Sequence, residues 1–501
     1  MILGNKMSSK KMEVIMAGAE MSPFVKVGGL GDVMGSLPLA LSQLGINVKV
    51  FLPLYGAINK RKFKIKLFKK GFGVDLHGRQ HKFDIYETKV TGTRVRVFFI
   101  QNKIFNGQNI YIGSRKYFNK NKQGAYSRHT GDVERFIFFS KAIIETIKEL
   151  KWKPDVIHAH DWHTALLPTF IDEYSLQYKN FSNIKSLYTI HNLANQGITG
   201  LDILDYAGLH QDATPALMED YYDKDGGKIN SMKLGILSAD YVNTVSPNYA
   251  KEILTKEYGA GLELYLNRRK KHLAGIVNGL DLKLFDPAKD KNIKKKYSFK
   301  NLKSAKKINK QALQKFTKLP LKDVPVLGLV SRLVSQKGLD ILLPALKAKL
   351  KKDNFQVVIL GTGQAEFEQG FQKLAKQYPT KVSANIGFSL PLAQKIYAGS
   401  DFFLIPSHFE PCGLGQMIAM RYGTVPIVRQ TGGLKDTVIH NRTGIVFKKY
   451  TQQAMLQAIE QSLDLYKNKR KFAKMLKVDM QQDFSWDKSA KEYLKLYNKL
   501  K

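Results

Sequence analysis

Asp401-Phe-Phe-Leu-Ile-Pro-Ser-His-Phe-Glu-Pro-Cys-Gly-Leu-Gly-Gln-Met-Ile-Ala-Met-Arg-Tyr-Gly423 joins an apolar run to a helix-periodic one through a turn that carries one carboxylate. Asp401 to Pro406 is short and apolar enough for a buried parallel strand, and Leu414 to Tyr422 spaces its apolar residues i, i+3, i+4 as a packed helix does. Pro411 ends strand pairing, and Gly413 and Gly415 permit a tight turn, so Glu410 falls at the carboxyl end of a strand. The first amides of the next helix lack helical partners and favour anions. Glu410 therefore either caps that helix or belongs to a site for an anionic ligand. The stretch alone leaves both open.

Reading outward, the same unit repeats. Apolar runs at Glu13 to Ala19, Asn47 to Pro53, Arg94 to Ile100, Asp155 to Ala159, Ser186 to Ile190 and Tyr241 to Thr244 read as strands, with helices such as Asp132 to Leu150 between them. A basic stretch from Leu284 to Pro320 interrupts the rhythm. Strands then resume at Val324 to Val330, Gln356 to Leu360, Val382 to Ile386, Phe402 to Ile405 and Val425 to Val428, with helices between them. Two such series predict an α/β chain of two Rossmann-like, doubly wound domains facing each other across a cleft. The expected domains are 12–273 and 274–483, and a last helix within 484–501 packs back on the first.

The 501 residues are 44% hydrophobic, enough for real cores. Lys and Arg number 80 against 42 Asp and Glu, a net charge of +38 that attracts anions. The basic residues gather at Lys60 to Lys70, Lys289 to Lys310 and Lys467 to Lys474, with no stacking aromatics or recognition helix beside them. A solvated surface is expected there, not a nucleic-acid partner. One cysteine, Cys412, allows neither an intramolecular disulfide nor an all-cysteine metal site, and a reduced, cytoplasmic setting fits. Neither a signal peptide nor a membrane span is expected, and Met1, Met7 and Met12 are alternative starts.

In open α/β sheets, ligands bind outside the carboxyl ends of the strands, so the loops there carry the chemistry. After the first strand, Gly28, Gly29 and Gly31 let amides approach a phosphate, Lys26 supplies a point charge and Asp32 opens a helix. The order matches neither the dinucleotide fingerprint nor a Walker A loop. His158-Ala-His-Asp-Trp-His163 raises a metal site, but strand alternation means its histidines cannot all converge; hydrogen bonding to a polyol suits them better. Asp161 and Trp162 form a carboxylate and ring pair suited to sugar, or else cap and pack the next helix. His191 can present a ring nitrogen or its carbonyl to a reacting centre, and Asn192 can bond a hydroxyl. Arg332 and Lys337, five apart around a turn, can converge on one diphosphate, or serve as surface ion pairs. Gln430-Thr-Gly-Gly-Leu434 adds a second glycine turn with amides for phosphate.

Assembled, these loops closely resemble those of bacterial glycogen synthases and plant starch synthases, retaining glycosyltransferases of family 5 with the two-Rossmann GT-B fold. The likeness runs from about Met12 to the C-terminus. It is carried by KVGGLGDV at Lys26 to Val33, HAHDWH at His158 to His163, TIHNLANQG at Thr189 to Gly197, VSPNYA at Val245 to Ala250, IVNGLD at Ile276 to Asp281, SRLVSQKG at Ser331 to Gly338, FEPCGLGQ and RQTGGL. The resemblance implies that Lys26, Gly28 and Gly29, with Asp32 in the same loop, contact the donor's diphosphate and sugar. Arg332 and Lys337 would hold phosphate. Asp161, His191, Asn192 and Asn278 would line the glucose and acceptor side. Glu410 would stand by the glucose while the Cys412, Gly413 and Leu414 backbone holds its hydroxyls. Thr431 and Gly432 would bind phosphate oxygens, and Tyr111 would stack near the adenine or sugar. The implied catalytic set is Glu410, His191, Arg332, Lys337 and Asp161. His408 stands where arginine is frequent, Gly415 replaces a common threonine, and FNGQNIY before Tyr111 lacks the usual Arg-Pro-Gly-Asn. These departures bear on acceptor preference and donor base.

The resemblance implies transfer of glucose from ADP-glucose, with UDP-glucose as the alternative donor, to the non-reducing 4-hydroxyl of an α-1,4-glucan such as glycogen, with retention. No cofactor, metal or membrane is expected. Two rivals remain at this point. A phosphorylase or epimerase on the same fold would show itself by a pyridoxal Schiff base or by isomerised sugar. A non-catalytic glucan- or nucleic-acid-binding protein would have no turnover for Glu410→Ala or Lys337→Ala to abolish.

Overall fold

Short apolar runs between amphipathic ones fold as parallel sheet covered by helices. The computed structural model describes residues 11–113, 117–118, 127–128, 131–200, 202–209 and 228–501; the candidate starts Met1 and Met7 lie outside them. The strands are β1 Glu13–Ala17, β2 Asn47–Pro53, β3 Lys66–Leu76, β4 Arg79–Lys89, β5 Arg96–Gln101, β6 Tyr117–Phe118, β7 Ser127–Arg128, β8 Val156–His160, β9 Lys185–Ile190, β10 Ile198–Gly200, β11 Lys228–Asn230, β12 Tyr241–Thr244 and β13 Leu273–Gly275. They continue as β14 Val326–Val330, β15 Gln356–Gly361, β16 Val382–Ile386, β17 Phe402–Ile405, β18 Val425–Arg429 and β19 Ile445–Phe447.

The first unit holds the chain up to Val245, Ile253–Gly279 and Trp486–Lys501. Its main sheet runs β13-β12-β9-β8-β1-β2-β5-β4-β3. All pairings are parallel except β5 with β4 and β4 with β3. The chain winds from β1 both ways, so the switch in direction lies between β1 and β8, where a crevice for ligand is expected. The hairpin β3-β4 grows out of the lysine-rich segment read as plain surface. Phe72, Val74, Leu76, Phe83 and Ile85 alternate inward while lysines guard the edge strand.

The second unit is Leu280–Ser485 with Ser246–Glu252. Its sheet, β16-β15-β14-β17-β18-β19, is parallel throughout and repeats the Rossmann strand order 3-2-1-4-5-6. Every residue of β15 is buried, as a strand covered on both faces requires. At about 25 cal/mol per Å2, each buried Val or Ile there contributes roughly 2 kcal/mol. The supposed interruption contains a helix, Leu302–Phe316, whose apolar stripe of Leu302, Ala305 and Leu313 lies in this core.

The unit boundaries differ slightly from the expected ones, for local reasons. β13 pairs with β12 past residue 273, so the first sheet extends further. Phe484 O accepts from Leu280 N at 2.7 Å, which keeps residue 484 with the second unit. Ser246–Glu252 joins the second unit because Asn248 N donates to Asp436 at 2.8 Å. The helix Trp486–Leu500 belongs to the first unit and buries Trp486, Ala490, Tyr493, Tyr497 and Leu500. It crosses Gly279 so closely that a Cβ there would stand 2.6 Å from the Trp486 Cα. Among the described residues no helix is long and apolar enough to cross a membrane.

Candidate functional site

In the second unit the switch point lies between β14 and β17, and the loops that follow these strands are the ones with Lys337 and Glu410. Gly338 joins them. Its φ is +68°, and a Cβ would lie 2.0 Å from Pro406 O, so only glycine lets the two loops touch. Lys337 Nζ then reaches Glu410 Oε2 at 2.7 Å, and Ser407 Oγ donates to the same oxygen at 2.8 Å. The side chains of Lys337 and Glu410 are 18% and 10% exposed, so this ion pair is drier than a surface one. A cavity of about 70 Å3 opens beside it, lined by Ser331, Ser407, Gly413 and Gln416 among others. Arg332 is exposed and only brushes Gln336, at 3.4 Å.

The Thr431-Gly432-Gly433 turn packs on the Glu410–Cys412 backbone. A Cβ on Gly432, whose φ is +44°, would lie 1.9 Å from Glu410 O, and Gly433 N donates to that same carbonyl at 3.1 Å. Gln416 Nε2 ties down the Cys412 and Gly413 carbonyls at 3.1 and 2.9 Å, and Leu414 is half-buried before the helix Gly415–Arg421. A residue the sequence reading passed over intervenes. Glu252 accepts from Gly432 N at 3.0 Å and from Thr431 Oγ1 at 3.3 Å, so a carboxylate already occupies the donors expected to hold phosphate. It ends the helix Pro247–Glu252, two residues beyond the VSPNYA run. His408, the departure noted above, is exposed with its ring 4.5 Å from that of Tyr450. Phe388, after β16, is 90% exposed, an aromatic face the sequence reading also missed.

In the first unit the loops after β1, β8 and β9 gather a second cluster. Glu20 is 3% exposed; its Oε2 accepts from Val27 N at 2.6 Å and Gly28 N at 2.9 Å, and its Oε1 accepts from Tyr111 OH at 2.5 Å. The glycine loop is thus folded around an internal carboxylate. Lys26 pairs with Asp32 at 2.6 Å. Nothing lies within 4 Å of a Cβ on Gly28 or Gly29, so packing does not demand glycine there. Access to the backbone is what it leaves. Tyr111 sets its ring 5.3 Å from His163.

Asp161 follows β8 with φ 55° and ψ −178°, a region that side chains avoid. Its Oδ1 accepts from His191 N at 2.7 Å and more weakly from Asn192 N at 3.4 Å. Burial pushes its carboxyl up to about 7 against the pull of these two amides. Burial likewise pulls His191 down to about 3 and keeps His158 and His160 neutral. Two of the three motif histidines come together with His191. His158 and His160, two apart and therefore on one face, stack at 4.0 Å, and His160 Nδ1 lies 3.0 Å from His191 Nε2. His163 turns away beneath Trp162. Their nitrogens bond Tyr497, Thr189 and one another, not a common centre. Asn278 is 7% exposed, and its buried Oδ1 has no partner among the described residues, which leaves it an acceptor for a hydroxyl. Asn192 Oδ1 accepts from Ala194 N at 3.0 Å.

Comparison with known proteins identifies the family. Residues 13–268 match the model of the starch synthase catalytic domain, and 310–477 match glycosyl transferases group 1. The chain is 41% identical to the glycogen synthase of Thermosipho africanus over 97% of its length and 99% of that protein. It is also 41% identical to the one from Alkaliphilus metalliredigens over 98% of its length and all of that protein. The catalytic domain of starch synthase IV from Arabidopsis thaliana, solved with ADP and acarbose, matches with a TM-score of 0.85 at 32% identity, covering 98% of this chain and 99% of that one. A sucrose-phosphate synthase from Thermosynechococcus elongatus shares the fold, with a TM-score of 0.58 at 19% identity. With both units accounted for by these matches, the chain belongs to the glycogen and starch synthase family of GT-B glycosyltransferases.

Proposed function

We propose that the protein transfers glucose from ADP-glucose to the non-reducing 4-hydroxyl of an α-1,4-glucan, with retention, in the cytoplasm. The observation that carries this reading is the half-buried Lys337–Glu410 pair at the switch point of the second sheet. Arg332 and Lys337 would take the diphosphate, on which charge builds as the bond to the sugar breaks. Thr431 and Gly432 would add neutral donors once Glu252 yields them, and Phe388 offers its exposed ring to the base. Lys26, Asp161, His191, Asn192 and Asn278 would serve from the first unit, Asn278 by its unpartnered oxygen.

The bond between C1 and the diphosphate oxygen breaks, the acceptor O4 bonds C1 on the same face, and the O4 proton passes to the departing diphosphate. Glu410 acts by its charge beside the positive sugar carbon. With Lys337 and Ser407 both bonded to Oε2, it is poorly suited to attack as a nucleophile. ADP-glucose and UDP-glucose are each incubated with glycogen in EDTA, and nucleotide release and product linkage are measured. New α-1,4 linkages with ADP release are expected. Absence of transfer from ADP-glucose would refute the proposal.

A further inference from the structure

The C-terminal helix meets the histidines of β8 and the polar residues beside them. Tyr497 OH lies 2.8 Å from His158 Nδ1, and His158 Nε2 lies 2.6 Å from Thr189 Oγ1. The protons of this chain can be assigned from its far end. Asn243 Nδ2 donates to Thr244 O at 3.2 Å and to Tyr493 OH at 3.3 Å, which turns the amide oxygen toward Thr189. The Thr189 hydroxyl gives its one proton to that oxygen. Thr189 Oγ1 must therefore accept from His158, which carries its proton on Nε2 and receives Tyr497 OH at Nδ1.

His160 stacks on the ring so fixed, with 34° between the planes, and its Nδ1 is 3.0 Å from His191 Nε2. Of two imidazole nitrogens at that distance, one is N–H and the other bare. His160 is fully buried, and its Nε2 has no partner among the described residues. A buried N–H without an acceptor is the rarer and costlier orphan, so the proton of His160 sits on Nδ1. His191 Nε2 is then bare, and its proton lies on Nδ1, the nitrogen that His160 does not engage.

We propose that His160 is a positioning residue whose Nδ1–H fixes His191 as the Nδ1–H tautomer, a hydrogen-bond donor and not a base, at the end of β9. The use of that donor toward a sugar oxygen rests on the function proposed above; the tautomer itself does not. It also fits the route of the acceptor proton to the diphosphate, because His191 then has no lone pair on its outer nitrogen with which to take it. The titratable groups around His191 are His158, His160 and His163 from β8 and its loop, and Asp161, which holds the His191 amide. The three neighbouring imidazoles are kept neutral by burial.

The test is the long-range 1H–15N spectrum of the 15N-labelled full chain, with His160 and His191 assigned by their Gln variants, alongside pH profiles of His160→Leu and His160→Asn. His191 is expected as Nδ1–H in the wild type. In His160→Leu both tautomers should appear, His191 should titrate near about 6.5, and kcat should fall about tenfold, with a new acid limb. His160→Asn, whose amide nitrogen can replace Nδ1–H, should restore the tautomer and the profile. A purely structural role would lower activity without moving the pH profile. An Nε2–H His191 in the wild type, or an unchanged tautomer and profile in folded His160→Leu, overturns the proposal. Should the leucine variant not fold, the wild-type spectrum and His160→Asn decide. A wild type that transfers no glucose sinks the proposed function, and the spectrum still decides the tautomer.

Discussion

Asp161 combines a strained backbone with a carboxylate moved from its ordinary 3.8 to about 7, and Asp161→Asn separates the two. Asparagine has the same shape, so it meets the same backbone strain and can still accept from His191 N, and the substitution removes chiefly the charge. A carboxyl whose folded value is raised binds its proton more tightly in the native state. The native state therefore has no penalty below about 4, accumulates one between about 4 and 7, and carries it in full above 7. At about 1.4 kcal/mol per pH unit, that rise corresponds to about 4 kcal/mol, or about 2 to 4 allowing for solvent at a partly exposed residue. The urea midpoints of wild type and Asp161→Asn should nearly coincide at pH 4 and diverge by pH 8, with the variant the more stable. If ionised Asp161 accepts a sugar hydroxyl, wild-type kcat/KM should also rise through about pH 7 while the variant's stays low and flat. Equal midpoint differences at both pH values would refute the reasoning, because the charge would then cost the fold nothing.

Lys337→Met should lower kcat/KM by about a thousandfold, roughly 4 kcal/mol of transition-state binding. In a thermal double-mutant cycle with Glu410→Gln it should show a coupling of about 1 to 3 kcal/mol; additivity would mean the pair is only nominal. Glu252→Gln should lower stability by about 1 kcal/mol while reducing the KM for ADP-glucose severalfold, since a charged competitor leaves the Thr431 and Gly432 donors. An unchanged KM in steady-state assays would show that phosphate does not use them. Phe388→Ala should raise the KM for the nucleotide sugar by about tenfold at similar kcat, the value of about one stacked base; equal KM values would remove Phe388 from the base site.

Strand-end loops were legible because their residue types have few other uses in that place. The run DFFLIP announced β17, and periodicity placed the four helices between β14 and β18 within a few residues, while those at Gln452–Lys467 and Lys469–Met480 went unread. The hairpin β3-β4 was hidden because its first strand opens on exposed lysines, and the alternation that makes it a strand begins only at Phe72. The helix Leu302–Phe316 was hidden for a related reason, its apolar stripe being diluted by five lysines and one asparagine. Within the candidate site, Arg332, Lys337 and Glu410 could be read from spacing around a turn, but Glu20 and Glu252 could not. Each acts through amides 7 and 180 residues away, and no local pattern marks such a carboxylate. Proline-bounded apolar runs report burial; partners of this kind are fixed only by the sheet order.

Those two carboxylates follow an arrangement found within each unit separately. Glu20 holds the Val27 and Gly28 amides, Asp32 holds Lys26, Glu252 holds Thr431 and Gly432, and Glu410 holds Lys337. A chain of net charge +38 would otherwise present preorganised anion sites to every phosphate in solution. Internal carboxylates make each group's capture of phosphate an exchange, so a weak anion that replaces only one of them gains little. A diphosphate that bridges Lys337 with Arg332 gains more, because Arg332 has no carboxylate partner among the described residues and yields nothing in return. On the proposed function, Arg332 then sets affinity for the diphosphate and Lys337 sets its discrimination. Arg332→Ala should accordingly weaken ADP and inorganic phosphate alike, whereas Lys337→Ala, by leaving Glu410 unpaired, should repel both and ADP the more strongly.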